Sequence, residues 1–116
     1  MSEGFVPLDL TKADVIPDGT YVATVLKGEL KDAKDGSSQY INWLIHIPEH
    51  TFNIFHMTSF KAPRMIKAML DACGVAYDAS GFNFTECIGK QIQVTVATKD
   101  DPQYGLQNVI TKVTKA

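Results

Sequence analysis

From Tyr40 to Ile47 the residues alternate strictly, with Ile41, Trp43, Ile45 and Ile47 on one side of an extended backbone and Tyr40, Asn42, Leu44 and His46 on the other. Successive side chains of a strand point to opposite faces, so this run has one face to bury and one to leave open. A face of three isoleucines and the chain's only tryptophan must be covered by further strands or a helix. The protein therefore needs a sheet with one apolar side, and Trp43 belongs to its core.

Turn signals divide the rest of the chain. Pro17-Asp18-Gly19 precedes Thr20 to Leu26, a β-branched and aromatic run that makes a first strand, continuing to Leu30 past Gly28. A glycine in such a run predicts a bulge or sharp bend. Lys31 to Ser38 is a charged hairpin loop, and Pro48-Glu49-His50 is a short turn. Thr51 to Thr58 forms a third strand, with Phe52, Ile54 and His56 on one side and Asn53, Phe55 and Met57 on the other. Both sides carry apolar residues, so alternation leaves its inner face open.

Pro63 suits a first helical turn, and Met65, Ile66, Met69 and Cys73 recur at helical spacing up to Gly74. The spacing predicts one helix over residues 61–73. Val75 to Asn83 is turn-rich, and Phe84 to Ile88 reads as a single helical turn. Gln91 to Thr98 alternates as a fourth strand, Asp100 to Gly105 turns, and Leu106 to Thr114 is a fifth strand. In that last strand Leu106, Asn108 and Ile110 oppose Gln107, Val109, Thr111 and Val113. Residues 1–18 are an extended lead-in, and residues 1–116 make a single domain.

The order β-β-β-α-β-β in a mostly β chain predicts an OB-fold, a five-stranded antiparallel barrel with one α-helix between strands three and four. Closing the barrel hides edges that an open sheet would expose. An open α+β sheet and an SH3-like barrel are compatible with the same order.

Charge and motif content narrow the function. Residues 1–60 carry four Lys/Arg against eight Asp/Glu, and residues 61–116 seven against five. The formal total of −2 excludes a nucleic-acid binder held by bulk positive charge alone, but not one that relies on base stacking beside a local basic groove. The apolar runs are too short to span a bilayer. The N-terminus lacks the pattern of a secretory signal, which predicts a reducing cytoplasm with Cys73 and Cys87 as free thiols. His46 and His50 are four apart but flank Pro48 between two strands, where that spacing does not pair ligands. No nucleophile elbow, metalloprotease helix or phosphate-binding glycine loop occurs, so the expectation is a protein without catalysis, metal or cofactor.

Rings and cations supply the candidate site. Tyr40, Asn42 and His46 share the open face of the second strand; either Phe52 or Phe55 lies on the matching face of the third, and Phe55 is the candidate. Tyr104 lies in the last turn. Lys31 and Lys34 in the first hairpin loop, Lys61 and Arg64 at the helix start, and Lys99 near the last turn can assemble a basic groove. In OB-folds single strands lie across strands two and three and the flanking loops. Each base stacked on a ring contributes about 1–3 kcal/mol whatever its sequence. Ordinary packing accounts equally for any single ring, and a solvated loop for lysines interleaved with Glu29, Asp32 and Asp35.

Four segments carry a resemblance. Leu8-Asp9-Leu10 followed by Ile16-Pro17-Asp18-Gly19-Thr20-Tyr21, the Lys/Asp/Gly/Ser loop before Tyr40-Ile41-Asn42-Trp43, the helix from Met65 to Gly74, and Cys87-Ile88-Gly89-Lys90-Gln91-Ile92 together resemble a phage-encoded family of small proteins. That family is found among replication and recombination genes, and its better-studied relatives are OB-fold single-stranded DNA-binding proteins. The chain departs from it at His56, where the family commonly has an acidic residue, and in ending Thr114-Lys115-Ala116 without an acidic tail. The resemblance implies a non-sequence-specific single-stranded DNA-binding protein of a bacteriophage, acting in DNA replication or recombination in the cytoplasm of the bacterial host. Phage recombinase or replication proteins and further copies of the chain are the partners it implies beyond DNA. The alternative is an OB-fold protein-interaction module without nucleic-acid binding, which the acidic total charge suits.

Overall fold

The structure, a computed structural model, describes residues 4–7, 15–103 and 105–116. Most of the lead-in, with Leu8-Asp9-Leu10, lies outside the described residues. The long strands are β1 (Gly19–Asp32), β2 (Gln39–Ile47) and β3 (Phe52–Ser59), followed by helix α1 (Pro63–Cys73). A two-residue ladder, β4 (Tyr77–Asp78) with β5 (Gly81–Phe82), precedes the long pair β6 (Gln91–Asp101) and β7 (Gly105–Lys115). Short 3₁₀ turns occupy Pro48–His50 and Phe84–Cys87. The elements expected from the sequence are present in the expected order, but β6 and β7 run further than expected and narrow the final turn.

The protein is mostly β: one five-stranded antiparallel sheet in the order β3-β2-β1-β6-β7, with one α-helix. The closed barrel is not formed. β3 and β7 are the sheet edges, with no ladder joining them among the described residues, and a groove of about 430 Å³ lined by Phe52 to Phe55 and Leu106 to Asn108 lies between them at one end. α1 packs on both edges. At the mouth of this groove the side chain of Asn108 clamps the incoming chain: its Oδ1 accepts from Ile16 N at 2.8 Å and its Nδ2 donates to Ile16 O at 3.0 Å.

β1 serves two partners. Its first part pairs with β6, its second with β2, and Thr24 sits opposite both Gln91 and His46. A strand shared in this way must coil, and an extra residue raises its twist. That residue is Leu26, between the pairs Val25–Ile45 and Lys27–Leu44, and not Gly28 as the sequence suggests. Gly28 has a different task. A Cβ there would lie 3.1 Å from the Trp43 ring and 3.3 Å from Phe84, so glycine permits the close approach of the indole beneath the strand. A second bulge, at Thr111, separates the pairs Thr95–Lys112 and Val96–Ile110. It puts Val113, opposite Val94, on the core side together with Ile110, although alternation sets these two residues on opposite faces.

The inner face matches the alternation of β2: Ile41, Trp43, Ile45 and Ile47 are fully buried. Ile92, Val94 and Val96 cover them from β6, and Tyr21, Ala23 and Val25 from β1. α1 contributes Ile66, Met69, Leu70 and Cys73 and ends on Gly74, whose φ of 72° is left-handed and whose N–H reaches Leu70 O and Asp71 O. Met65, expected in the apolar stripe, is instead exposed, because the stripe follows the spacing 66, 69, 70, 73. Cys73 and Cys87 are buried free thiols. No described helix is long and apolar enough to cross a membrane.

Candidate nucleic-acid interface

The parity of β3, open in the sequence, is set by its register with β2. Ile54 faces Ile45, His56 faces Trp43 and Thr58 faces Ile41, so these three are inside. Asn53, Phe55 and Met57 are outside, with Phe55 67% and Met57 58% exposed. The bulge at Leu26 matters equally, since it switches β1 from odd-numbered residues inside to odd-numbered residues outside. Three cross-strand rows result on the outer face: Lys31–Tyr40–Ser59, Glu29–Asn42–Met57 and Lys27–Leu44–Phe55. Directly opposed side chains in such rows are about 5 Å apart. An aromatic and apolar band of Tyr40, Leu44, Phe55 and Met57 therefore runs beside a line of charges.

Two depressions border this band. One, of about 160 Å³, is lined by Lys27, Glu29, Lys31, Asn42, Leu44 and Phe55. The other, of about 330 Å³, brings the first hairpin loop and the start of α1 to Tyr40, with Lys34, Asp35, Met57 and Lys61 in its wall. Lys31, Lys34, Tyr40, Asn42, Phe55 and Lys61 thus come together on one surface. Met57, Leu44 and Lys27 belong to it as well. The sequence passes over Met57 and Leu44 as ordinary apolar residues.

The remaining candidates fall elsewhere. His46 ends the face, its Nδ1–H donating to Asn53 Oδ1 at 2.6 Å. Arg64 lines a separate groove with His56 and Lys112, because β3 divides the outer face from that inner side. Lys99 is exposed in the β6–β7 ladder opposite Gln107, where no register pair joins it to Tyr40 or Phe55. Tyr104 lies outside the described residues. His50 meets the Tyr21 ring edge-on at 5.2 Å, so the three histidines occupy different surfaces.

Charge on the face is moderated. Lys27 Nζ and Lys31 Nζ both pair with Glu29, the second at 3.4 Å. The hydrogen bonds of Lys27 and then Lys31, with their charges, hold the Glu29 carboxyl below its ordinary range. In the loop, Asp35 Oδ1 accepts the backbone N–H of Ser37 at 3.0 Å and its hydroxyl at 2.7 Å. These bonds lower the Asp35 pKa and shape the turn that presents Lys34. The two depressions are lined by four lysines and two carboxylates. Such a surface carries a small excess of positive charge.

Burial alone pushes the His56 imidazole below its ordinary pKa, and this has a consequence for stability. Above the ordinary histidine value both folded and unfolded forms are neutral and the contribution is complete. Below it the unfolded chain takes up a proton that the folded chain refuses, so stability is lost as the pH falls from there through the lower native pKa. Urea titrations at a series of pH values from 7.5 downward, about 0.5 apart, should show a steeper acid loss for the wild type than for His56→Gln. Parallel losses would mean that His56 titrates normally.

No family model and no curated protein matches the chain.

Proposed function

We propose that this protein binds single-stranded DNA without sequence specificity and without catalysis, on the outer face of β1 to β3, in the replication or recombination of a bacteriophage. The fold is read as an OB-fold opened between β3 and β7. Supporting that reading, the order β3-β2-β1-β6-β7 with a helix between β3 and β6 is the OB order cut at one seam. The antiparallel pairings also make β3 and β7 run in the same direction as β1.

The observation that carries the functional reading is the exposure of Phe55 and Met57 beside Tyr40, with lysines on both flanks. An exposed phenylalanine on a sheet face adds nothing to the protein's own core, and contiguous apolar surface rimmed by charge marks a binding site. Flat rings take bases, the flanking lysines take phosphates, and only unpaired bases have faces free to stack on the rings. Hand-over of the bound strand to a phage recombinase or replication protein fits this activity.

The test is fluorescence polarisation with end-labelled oligo-dT and a duplex of equal length, because fully buried Trp43 is a poor intrinsic reporter for this face. Oligo-dT should bind far more tightly, and its affinity should fall with salt along a log-log slope no steeper than about −4, given four lysines at the face. Equal affinity for both, or none at low salt, would overturn the reading. It would favour a protein-interaction module, which the apolar Leu44, Phe55 and Met57 beside Glu29 would serve.

A further inference from the structure

We infer that the groove on the inner side of β3 is a phosphate-binding subsite built from His56, Arg64 and Lys112. Three elements converge there: β3 supplies His56, the first turn of α1 supplies Arg64, and β7 supplies Lys112, around a space of about 360 Å³. No carboxylate lines it. Met65 and Ile110 make apolar walls, so charge in the groove is incompletely hydrated and attracts an anion more strongly than on open surface.

His56 is the independent indication of a ligand. It is only 9% exposed, it lines the groove, and its ring has no hydrogen-bond partner among the described residues. Among the described residues no fully buried side-chain nitrogen or oxygen lacks a partner, so the imidazole nitrogens of His56 are open to solvent and free to meet a ligand. The α1 N-terminus adds to the demand for an anion: Ala62 gives no side-chain cap, the first turn has no acidic residue, and Arg64 stands there instead. Helix N-termini attract anions through unpaired N–H groups and the helix dipole. A phosphate would satisfy the two cations, the helix end and the His56 N–H at once.

This inference is separate from single-strand binding on the outer face. Inorganic phosphate, a mononucleotide and the 5′-phosphate of a strand share the required chemistry. The charged groups facing His56 are Arg64 from α1 and Lys112 from β7, while β2 places Trp43 opposite it. Both charges are positive, so an entering phosphate makes imidazole protonation easier.

The test follows the His56 ring by NMR while inorganic phosphate is added, with chloride at matched ionic strength as control. Phosphate should shift the His56 resonances saturably and raise its pKa. Arg64→Ala and Lys112→Ala, both at exposed residues, should keep the melting temperature and each weaken phosphate binding roughly tenfold, as loss of one charge-assisted contact does. Lys99→Ala should change nothing. An unsaturable shift equal to the chloride control, or undiminished binding in the Arg64→Ala/Lys112→Ala protein, would overturn the inference. Comparing oligo-dT with and without a 5′-phosphate separates the sources. Tighter binding of the phosphorylated strand, abolished by Arg64→Ala, assigns the subsite to a strand end; equal binding beside an intact phosphate titration assigns it to a free phosphate or nucleotide.

Discussion

Tyr40→Ala/Phe55→Ala is expected to bind oligo-dT about 30-fold to about 25,000-fold more weakly than the wild type, since each lost base–ring stack costs about 1–3 kcal/mol. Tyr40 and Phe55 lie on one face two rows apart, with Lys31 opposite Tyr40 and Lys27 in the row of Phe55. A strand crossing β1 to β3 would meet ring and cation in each row. The loss should come without unfolding, because Phe55 is two-thirds exposed and Tyr40 is half-buried on the solvent side of the sheet. Polarisation titration against a circular-dichroism melt separates the two effects. Full binding by the double variant, at unchanged melting temperature, would remove this face from the proposed function.

Trp43→Ala should act in the opposite sense, costing about 3–5 kcal/mol of stability, as truncation of a large core side chain does. A domain of this size is stable by about 5–15 kcal/mol, so the variant would lose a large part of its margin. The indole is fully buried, meets the Phe84 ring edge-on at 6.2 Å, and its Nε1–H donates to Thr58 Oγ1 at 3.0 Å. Thr58 in turn donates to Ile41 O at 3.3 Å, so the truncation leaves a cavity and also a buried hydroxyl that has lost a donor. Trp43→Phe keeps most of the volume and should cost less, isolating the hydrogen bond. Chemical denaturation gives both values. A Trp43→Ala protein of wild-type stability that no longer binds DNA would mean that the two faces of β2 have been exchanged.

The open groove between β3 and β7 gives the fold a feature that a sealed barrel lacks. Asn108 uses its side-chain amide to pair with the backbone of Ile16, and so ties the chain before β1 to an edge strand. The same edge, after the bulge at Thr111, carries Lys112 toward Arg64 and His56. The proposed phosphate subsite and the proposed stacking face thereby lie on opposite sides of β3.

Local pattern alone determined several parts of this protein. The alternation of β2 identified Trp43 and its three isoleucines as core, and Pro63 with Gly74 bracketed the helix, because these signals depend on near neighbours and on backbone chemistry that any context preserves. Tertiary structure decided the rest. β3 carries Phe52 and Ile54 on one side and Phe55 and Met57 on the other, so only its register with β2 could say which aromatic is exposed. The bulges at Leu26 and Thr111 have no glycine or proline to announce them; each arises from the coiling of a strand between partners, and each reverses the parity of everything beyond it. Arg64 and Lys61 are neighbours in sequence yet serve different grooves, because the edge of β3 passes between them. Which residues meet across strands is set by register and twist, and these are properties of the assembled sheet, not of any segment read by itself.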